Sequence, residues 1–133
     1  LAQVHGKYVP LFIKIAPDLS PEEVNGIAES LIKSEMDGVI ATNTTLDREA
    51  VKGLEHANEA GGLSGEVLVN QSQLITEQLH TALNGKMPII GVGGIHDVAS
   101  AKARMAAGAE LIQVYSSFIY QGPALIKQLV EGL

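Results

Sequence analysis

The segment PIIGVGGIHDVASAKARMAAGAELIQVY, residues 88–115, contains one complete unit of the predicted fold. Its first residues, Pro88 to Val92, form a short apolar run that predicts a buried strand. Asp97 can cap a helix that runs from Val98 to Ala107. A second apolar run, Leu111 to Tyr115, predicts the next strand. This succession of strand, helix and strand is typical of parallel α/β folds.

The same alternation extends through the rest of the chain. Two more apolar runs predict strands from Leu11 to Ala16 and from Gly38 to Thr42. Apolar residues at helical spacing predict three more helices, which cover Val24 to Ile32, Leu74 to Leu83 and Leu125 to Leu133. The strands are apolar almost throughout, as expected for a parallel sheet that is covered on both faces. Four strand–helix units predict half of a (β/α)8 barrel, and a small doubly wound sheet is the alternative.

The chain has 133 residues, which is enough for one domain with a sizeable core. It contains no linker, internal repeat or low-complexity segment, although the stretch from Asn43 to about Asn70 is long and rich in Gly, Asn and charge. A complete (β/α)8 barrel takes about 250 residues. Because the chain starts with Leu-Ala-Gln rather than Met, we expect either that something was removed before residue 1 or that residues 1–133 are one segment of a longer protein.

The composition excludes several classes of function. The absence of cysteine excludes a disulfide scaffold, a thiolate metal site and a cysteine nucleophile. Lys and Arg total 9 against 15 Asp and Glu, and the net charge of −6 disfavours binding to nucleic acid or to an anionic membrane surface. Aromatic residues make up only 4%, which argues against a stacking platform for single strands. No apolar run is long enough to span a membrane.

Candidate site residues follow each predicted strand, where ligands gather in parallel α/β proteins. Lys14 lies within an apolar strand, and we interpret it as a ligand-facing lysine because a strand interior rarely holds a lysine without a counter-charge. The sequence Thr42-Asn43-Thr44-Thr45 offers hydroxyl and amide groups, or simply a turn. The glycines of GGLSG, residues 61–65, fit equally well a close approach to a ligand or a flexible loop.

The sequence Gly91-Val92-Gly93-Gly94 is not a dinucleotide fingerprint, because His96 stands where the last glycine of that motif belongs. It still fits a phosphate cradle between a strand and a helix. The sequence Tyr115-Ser116-Ser117 after the last strand strengthens this interpretation, because barrels often bind phosphate with the loops after their last two strands.

No metal or hydrolase site is predicted. The histidines show no metal-ligand spacing and are interpreted as surface or locally hydrogen-bonded residues; they are His5, His56, His80 and His96. Asp18, Glu22 and Glu23 are interpreted as helix-start residues. No Ser-His-Asp arrangement is indicated.

Five motifs, in order, make the chain resemble the C-terminal half of the class 2, quinone-linked dihydroorotate dehydrogenases. They are KIAPDLS from Lys14, DGVIATNTTLDR from Asp37, GGLSG from Gly61, PIIGVGGI from Pro88 and LIQVYSSFIYQGP from Leu111. They span nearly the whole chain, and TNTT together with GGLSG resembles class 2 more than the soluble class 1 enzymes. The fold that the resemblance implies is the C-terminal half of a flavin-binding (β/α)8 barrel.

The resemblance also implies ligands for the predicted loops. The positions that match those holding flavin mononucleotide (FMN) are Lys14, Thr42, Gly65, Gly94, Tyr115 and Ser116. Asn43 and Thr44 match positions that bind the pyrimidine. A cation near the N1/O2 edge of the flavin, the role implied for Lys14, favours the anionic reduced form. The family's serine base belongs to the other half-barrel, so no catalytic residue is expected within this chain.

For the parent protein, the resemblance implies oxidation of dihydroorotate to orotate with a quinone as the electron acceptor, in pyrimidine biosynthesis. It implies a peripheral location on the cytoplasmic side of a bacterial inner membrane, with the quinone site in the missing half. The alternatives are a non-catalytic half-barrel that binds phosphate or flavin, and another FMN-dependent barrel oxidoreductase.

Half a barrel has two open sheet edges, at the first and the last predicted strand. Side chains that would fill a barrel interior lose the strands that face them; we expect these to include Ile13, Ile15, Ile40 and Ile90. We therefore expect the isolated chain to self-associate, most simply as a two-fold dimer, or to pair with the other half-barrel.

Overall fold

The computed structural model describes residues 2–133, and its elements follow the predicted alternation of strands and helices. The strands are β1 (Phe12–Ile15), β2 (Gly38–Ala41), β3 (Ile89–Val92) and β4 (Leu111–Gln113). The helices are α1 (Ala2–His5), α2 (Pro21–Lys33), α3 (Val69–Leu83), α4 (Val98–Ala106), α5 (Ser116–Gln121) and α6 (Pro123–Gly132).

The four strands form one parallel sheet in the order β1-β2-β3-β4. A doubly wound sheet reverses its strand order at a switch point, whereas strands that follow one another without reversal are the arrangement of a (β/α)8 barrel. The predicted fold class, four consecutive strand–helix units of a barrel, is therefore confirmed.

Local start signals explain where two of the helices begin. At α2, the Ser20 hydroxyl accepts a hydrogen bond from the Glu23 amide at 3.2 Å, and the Glu23 carboxylate accepts one from the Ser20 amide at 2.8 Å. This reciprocal pair is a capping box. Asp97 and Ser100 form a second capping box at the start of α4, as the sequence predicts for Asp97.

The main core lies between the sheet and the helices α2 and α3. Ile15, Val39, Ala41 and Ile89 project from the strands into this core. The prediction that Ile13 and Ile15 face the barrel interior is therefore wrong, because Ile15 is buried among helix side chains and Ile13 shares its face of the strand. Since side chains alternate along a strand, Phe12 and Lys14 are the β1 residues on the other face.

Within residues 2–133, no layer of helices covers the second face of the sheet. Lys14 is in register with Ile40, Ile40 with Ile90, and Ile90 with Leu111, so the four residues share this face. Leu111 is 61% exposed, and Ile40 and Ile90 are half-buried. The expectation for Ile40 and Ile90 is thus correct, and the open face also carries two polar residues, Lys14 and Gln113.

Several element bounds differ from the prediction. The stretch from Asn43 to Asn70 contains 3₁₀ turns at Glu49–Val51 and Glu66–Leu68, and α3 begins at Val69 rather than near Leu74. Each predicted strand is one or two residues too long, and α5 was not predicted. None of the helices between residues 2 and 133 is long and apolar enough to cross a membrane.

Candidate functional site

One cleft of about 870 Å³ lies at the carboxyl ends of the strands. Its walls are formed by Lys14 of β1 and by the loops that follow β2, β3 and β4, which lie together because all four strands run in the same direction. Every residue to which the family resemblance assigns a ligand lines this cleft; these residues are Lys14, Thr42, Asn43, Thr44, Gly65, Gly94, Tyr115 and Ser116. The structure thus brings together residues that are up to 102 positions apart in the chain (116 − 14).

Lys14 is exposed on the open face of β1 and reaches the cleft. Within residues 2–133, no carboxylate lies at ion-pair distance from its ammonium group. The side chain therefore presents an uncompensated positive charge to the cleft. The interpretation of Lys14 as a ligand-facing residue stays a prediction.

The loop after β2 contributes one buried residue and two exposed residues to the cleft. Thr42 is 2% exposed, and its hydroxyl forms a hydrogen bond of 2.6 Å with the buried Ser72 of α3. Asn43 and Thr44 are exposed, and the Asn43 side-chain oxygen accepts a hydrogen bond from the Thr44 amide at 2.9 Å. Thr42 thus anchors the floor of the cleft, while the amide group of Asn43 and the hydroxyl of Thr44 are accessible to a ligand.

The glycine loop combines packing with access to the cleft. A side chain at Gly62 would collide with Thr44, so this glycine permits the two loops to approach closely. The Gly61 carbonyl accepts a hydrogen bond from Arg48. Only Gly65, which has a φ of +95°, lines the cleft itself. Loop packing therefore explains Gly62, and the positive φ of +118° explains the glycine at position 61. The approach of Gly65 to a ligand stays a prediction.

Asp18 does not start a helix, in contrast to the sequence interpretation. Its carboxylate accepts hydrogen bonds from the Thr45 hydroxyl, from the Leu46 amide at 2.9 Å and from Gln71 at 3.3 Å. Burial raises the pKa of Asp18, but these hydrogen bonds together outweigh that effect and hold the pKa below its usual value. Asp18 therefore joins the loops after β1 and β2, and it helps to fix the loop that carries the cleft residues Asn43 and Thr44.

The loop after β4 is fixed to the neighbouring loops by hydroxyl groups. The Ser64 and Ser116 hydroxyls are 3.0 Å apart, and the Ser117 hydroxyl donates to the Ile95 carbonyl at 2.6 Å. Tyr115 is 76% exposed at the rim of the cleft. These contacts join the predicted phosphate loops after β3 and β4, as the paired motifs of the sequence suggest.

The turn after β3 has features that the sequence analysis missed. Gly93 and Gly94 have φ values of +107° and +77°, and both line the cleft. Behind them lies Arg104 of α4, which is 2% exposed and hydrogen-bonded to the carbonyls of Val92 and Gly93. The sequence could have indicated this burial, because Arg104 lies three residues after Ala101 and therefore on the apolar face of the predicted helix α4.

No group of three or more metal-ligating side chains occurs in the described part of the chain. The local role expected for the histidines holds for two of them: His56 contacts Glu59 at 2.7 Å, and His96 contacts the Gly94 carbonyl at 2.8 Å. His96 also lines the cleft, which its sequence context did not indicate.

The fold and the cleft together define the class of the protein: a segment of a (β/α)8 barrel with a cleft at the carboxyl ends of its strands. The chain belongs to the dihydroorotate dehydrogenase family, because the model of that family matches residues 2–133. The predicted family is thus confirmed.

Curated relatives are similar to the chain over nearly all of its length. It is 59% identical over 133 residues to the dihydroorotate dehydrogenase (quinone) of Vibrio parahaemolyticus serotype O3:K6 (strain RIMD 2210633), of which it covers 40%. It is 60% identical over 132 residues, 99% of the chain, to the enzyme of the same name from Shewanella halifaxensis (strain HAW-EB4), of which it covers 39%. The chain therefore spans about 40% of the length of these relatives.

A solved structure supports the same relationship. The crystal structure of DHODH from Eimeria tenella in complex with ferulenol superposes with a TM-score of 0.89 at 39% sequence identity. The superposition covers 98% of this chain and 34% of that chain. The four strand–helix units therefore have the geometry of a segment of a complete dihydroorotate dehydrogenase barrel.

Proposed function

We propose that these residues form the FMN-phosphate and pyrimidine side of the active site in a quinone-dependent dihydroorotate dehydrogenase of pyrimidine biosynthesis. The observation that carries the proposal is the meeting of the eight predicted ligand residues in one cleft. The relatives named dihydroorotate dehydrogenase (quinone) support the choice of reaction. Enzymes of this family are flavoproteins, and we propose FMN as the particular flavin.

The cleft fits a phosphorylated flavin on three grounds. Its volume of about 870 Å³ lies within the usual range of cofactor sites. Gly93 and Gly94 turn their backbone toward it without intervening side chains, and a buried arginine lies directly behind them. Lys14 of β1 adds a cation that forms no ion pair within residues 2–133. Backbone amides and cations are the groups that hold phosphate and stabilise negative charge.

When bound, FMN would accept a hydride from dihydroorotate and later pass the electrons to a quinone. The residues of this chain hold and orient the reactants. Lys14 stabilises negative charge at the edge of the ring system, Asn43 and Thr44 hydrogen-bond the pyrimidine, and Gly94 with Ser116 binds the phosphate. Thr42 fixes the floor of the site through Ser72.

The proton that leaves dihydroorotate needs a base, and we propose that it comes from a part of the protein outside these residues. Ser64, Ser116 and Ser117 line the cleft, but their hydroxyls already join neighbouring loops. We also propose that membrane association and the quinone site belong to that other part. The residues described here, taken alone, would then be a flavin-binding unit without turnover.

The test uses the complete enzyme and the 133-residue chain in parallel. The complete enzyme is expected to bind one FMN and to reduce a quinone with dihydroorotate as the donor. Absorbance spectra report the flavin content, and formation of orotate reports turnover. A complete enzyme that holds no flavin, or that holds flavin but does not oxidise dihydroorotate, would contradict the proposal. Flavin bound stoichiometrically by the shorter chain would show that this side of the site binds it alone.

We expect the 133 residues, prepared alone, to self-associate through the open sheet. β1 and β4 are its edge strands, and the apolar side chains of the open face would be covered by facing strands in a closed barrel. A two-fold dimer that joins the edges is the simplest product. Size-exclusion chromatography with light scattering measures the mass, and co-expression with the other half-barrel is the control, which should suppress the dimer. A stable monomer with cooperative unfolding would disprove this expectation.

A further inference from the structure

A positively charged side chain is buried directly beneath the Gly93–Gly94 turn. Arg104 donates from Nη1 to the Val92 carbonyl at 3.1 Å and from Nη2 to the Gly93 carbonyl at 2.9 Å. A third hydrogen bond, of 3.2 Å, joins Nη2 to the Val69 carbonyl at the start of α3. The guanidinium therefore connects the turn after β3 to two helices.

This charge has no carboxylate partner between residues 2 and 133. Its Nε atom is buried and also lacks a hydrogen-bond acceptor. Burial lowers the pKa of Arg104 to about 10, so the side chain is still protonated at neutral pH. A buried cation is costly unless a negative charge compensates it. Only carbonyl dipoles do so within the described residues.

The hydrogen bonds of Arg104 determine which way the turn faces. The peptide bonds from Val92 to Gly94 are trans, so each carbonyl points opposite to the amide hydrogen of the same peptide unit. With the carbonyls of Val92 and Gly93 directed at Arg104, the amide hydrogens of Gly93 and Gly94 point away from it. Neither amide donates to an acceptor in the described chain, and both residues line the cleft.

We propose that Arg104 is a positioning residue for the phosphate of the flavin: it holds the turn so that the amides of Gly93 and Gly94 face the cleft, and it supplies the buried charge that a phosphate dianion balances. Successive backbone amides in a turn of this kind form a concave anion site. The inference rests on the proposed function, because it assumes that the anion at this turn is the phosphate of FMN.

A purely structural role for Arg104 has a different consequence. If the side chain only braces α4 against the sheet, its replacement weakens the binding of every flavin to a similar extent. If it acts on the phosphate, the loss is confined to ligands that carry one. Riboflavin is the matched ligand, because it has the ring system and ribityl chain of FMN but no phosphate.

The decisive variant is Arg104→Gln in the complete enzyme after removal of its flavin. Glutamine is uncharged and shorter than arginine, so it removes both the charge and most of the hydrogen bonds to the turn carbonyls. Titration with FMN and with riboflavin, followed by flavin fluorescence, is expected to show a roughly 10- to 100-fold loss of FMN affinity and unchanged riboflavin affinity. Lys102→Gln is the control: it removes the same charge from an exposed position on α4, and neither affinity should change.

Each outcome decides the inference. Equal losses for FMN and riboflavin in Arg104→Gln, or no loss for either, would overturn it. If Arg104→Gln does not fold, Arg104→Lys replaces it, since lysine keeps the charge and loses the paired donors. A several-fold loss of FMN affinity in Arg104→Lys, with unchanged riboflavin affinity, would support the inference. An unchanged ratio of the FMN affinity to the riboflavin affinity would overturn it. Failure of the proposed function is distinguishable, because the unsubstituted enzyme would then bind neither ligand.

Discussion

Replacement of Lys14 by alanine in the complete enzyme is expected to lower the rate of flavin reduction by roughly 100- to 1,000-fold, the usual effect of removing one electrostatic donor from an active site. Lys14 is the exposed cation of β1 in the cleft, and no described carboxylate neutralises it. Negative charge that develops on the ring system during hydride transfer would lose this stabilisation. Stopped-flow absorbance under anaerobic conditions measures the reduction step directly.

The control for Lys14→Ala is Lys33→Ala, which removes another exposed lysine, at the end of α2, that does not line the cleft. Its reduction rate and flavin content should match those of the unsubstituted enzyme. Lys14→Met adds a second comparison, because it keeps the length of the side chain and removes the charge. Unchanged flavin content and an unchanged reduction rate in Lys14→Ala would refute the proposed role of Lys14.

The second large effect is expected for Gly94→Ala, and it concerns stability as well as binding. Gly94 has a φ of +77°, and a Cβ atom there would lie 2.5 Å from the backbone nitrogen of Val69. Left-handed backbone costs a residue with a side chain roughly 1–2 kcal/mol. Overpacking against neighbouring atoms adds about 1–3 kcal/mol. We expect the free energy of unfolding, measured with urea, to fall by about 2–5 kcal/mol.

Gly85→Ala is a closely matched control for Gly94→Ala. Gly85 has a φ of +73°, and a Cβ atom there would meet nothing within 4 Å. It carries nearly the same backbone strain without the collision, so its cost should be limited to about 1–2 kcal/mol. Flavin content should fall only in Gly94→Ala. Equal shifts of the urea midpoint in the two variants would contradict the prediction. They would show that the atoms of Val69 move aside without a measurable loss of stability.

The sequence was sufficient to predict the order of the elements and the loops of the cleft. Capping signals such as Ser20 with Glu23 act within four residues, so they are visible in the sequence and hold in the structure. The position of the cleft could be predicted from the direction of the strands alone. Once the strands are parallel, the residues after each strand must meet at one edge of the sheet. The motifs that begin at Lys14, Asp37, Gly61 and Pro88 then indicated the family, which the family model confirms. The roles of the individual site residues are still predictions.

The first and last residues of each helix and strand were harder to predict than the presence of that helix or strand. Pairing with β3 ends at Gln113 rather than Tyr115, because the chain turns there into the short helix α5. The apolar residues of that segment fit a strand and a helix equally well, and only contact with the neighbouring strand decides where the strand ends.

Only the tertiary structure decided which side of each strand faces the helices. The strands are apolar on both faces, so there is no alternation of polar and apolar residues to mark the barrel interior, and Ile15 was assigned to the wrong side. The hydrogen-bond partners of buried polar groups could not be predicted from the sequence either. Asp18 binds Thr45, 27 residues away, and Arg104 binds Val69, 35 residues away. Local patterns fix helices and strands because their forces act over a few residues, whereas the partner of a buried charge depends on which distant segments the packed fold brings beside it.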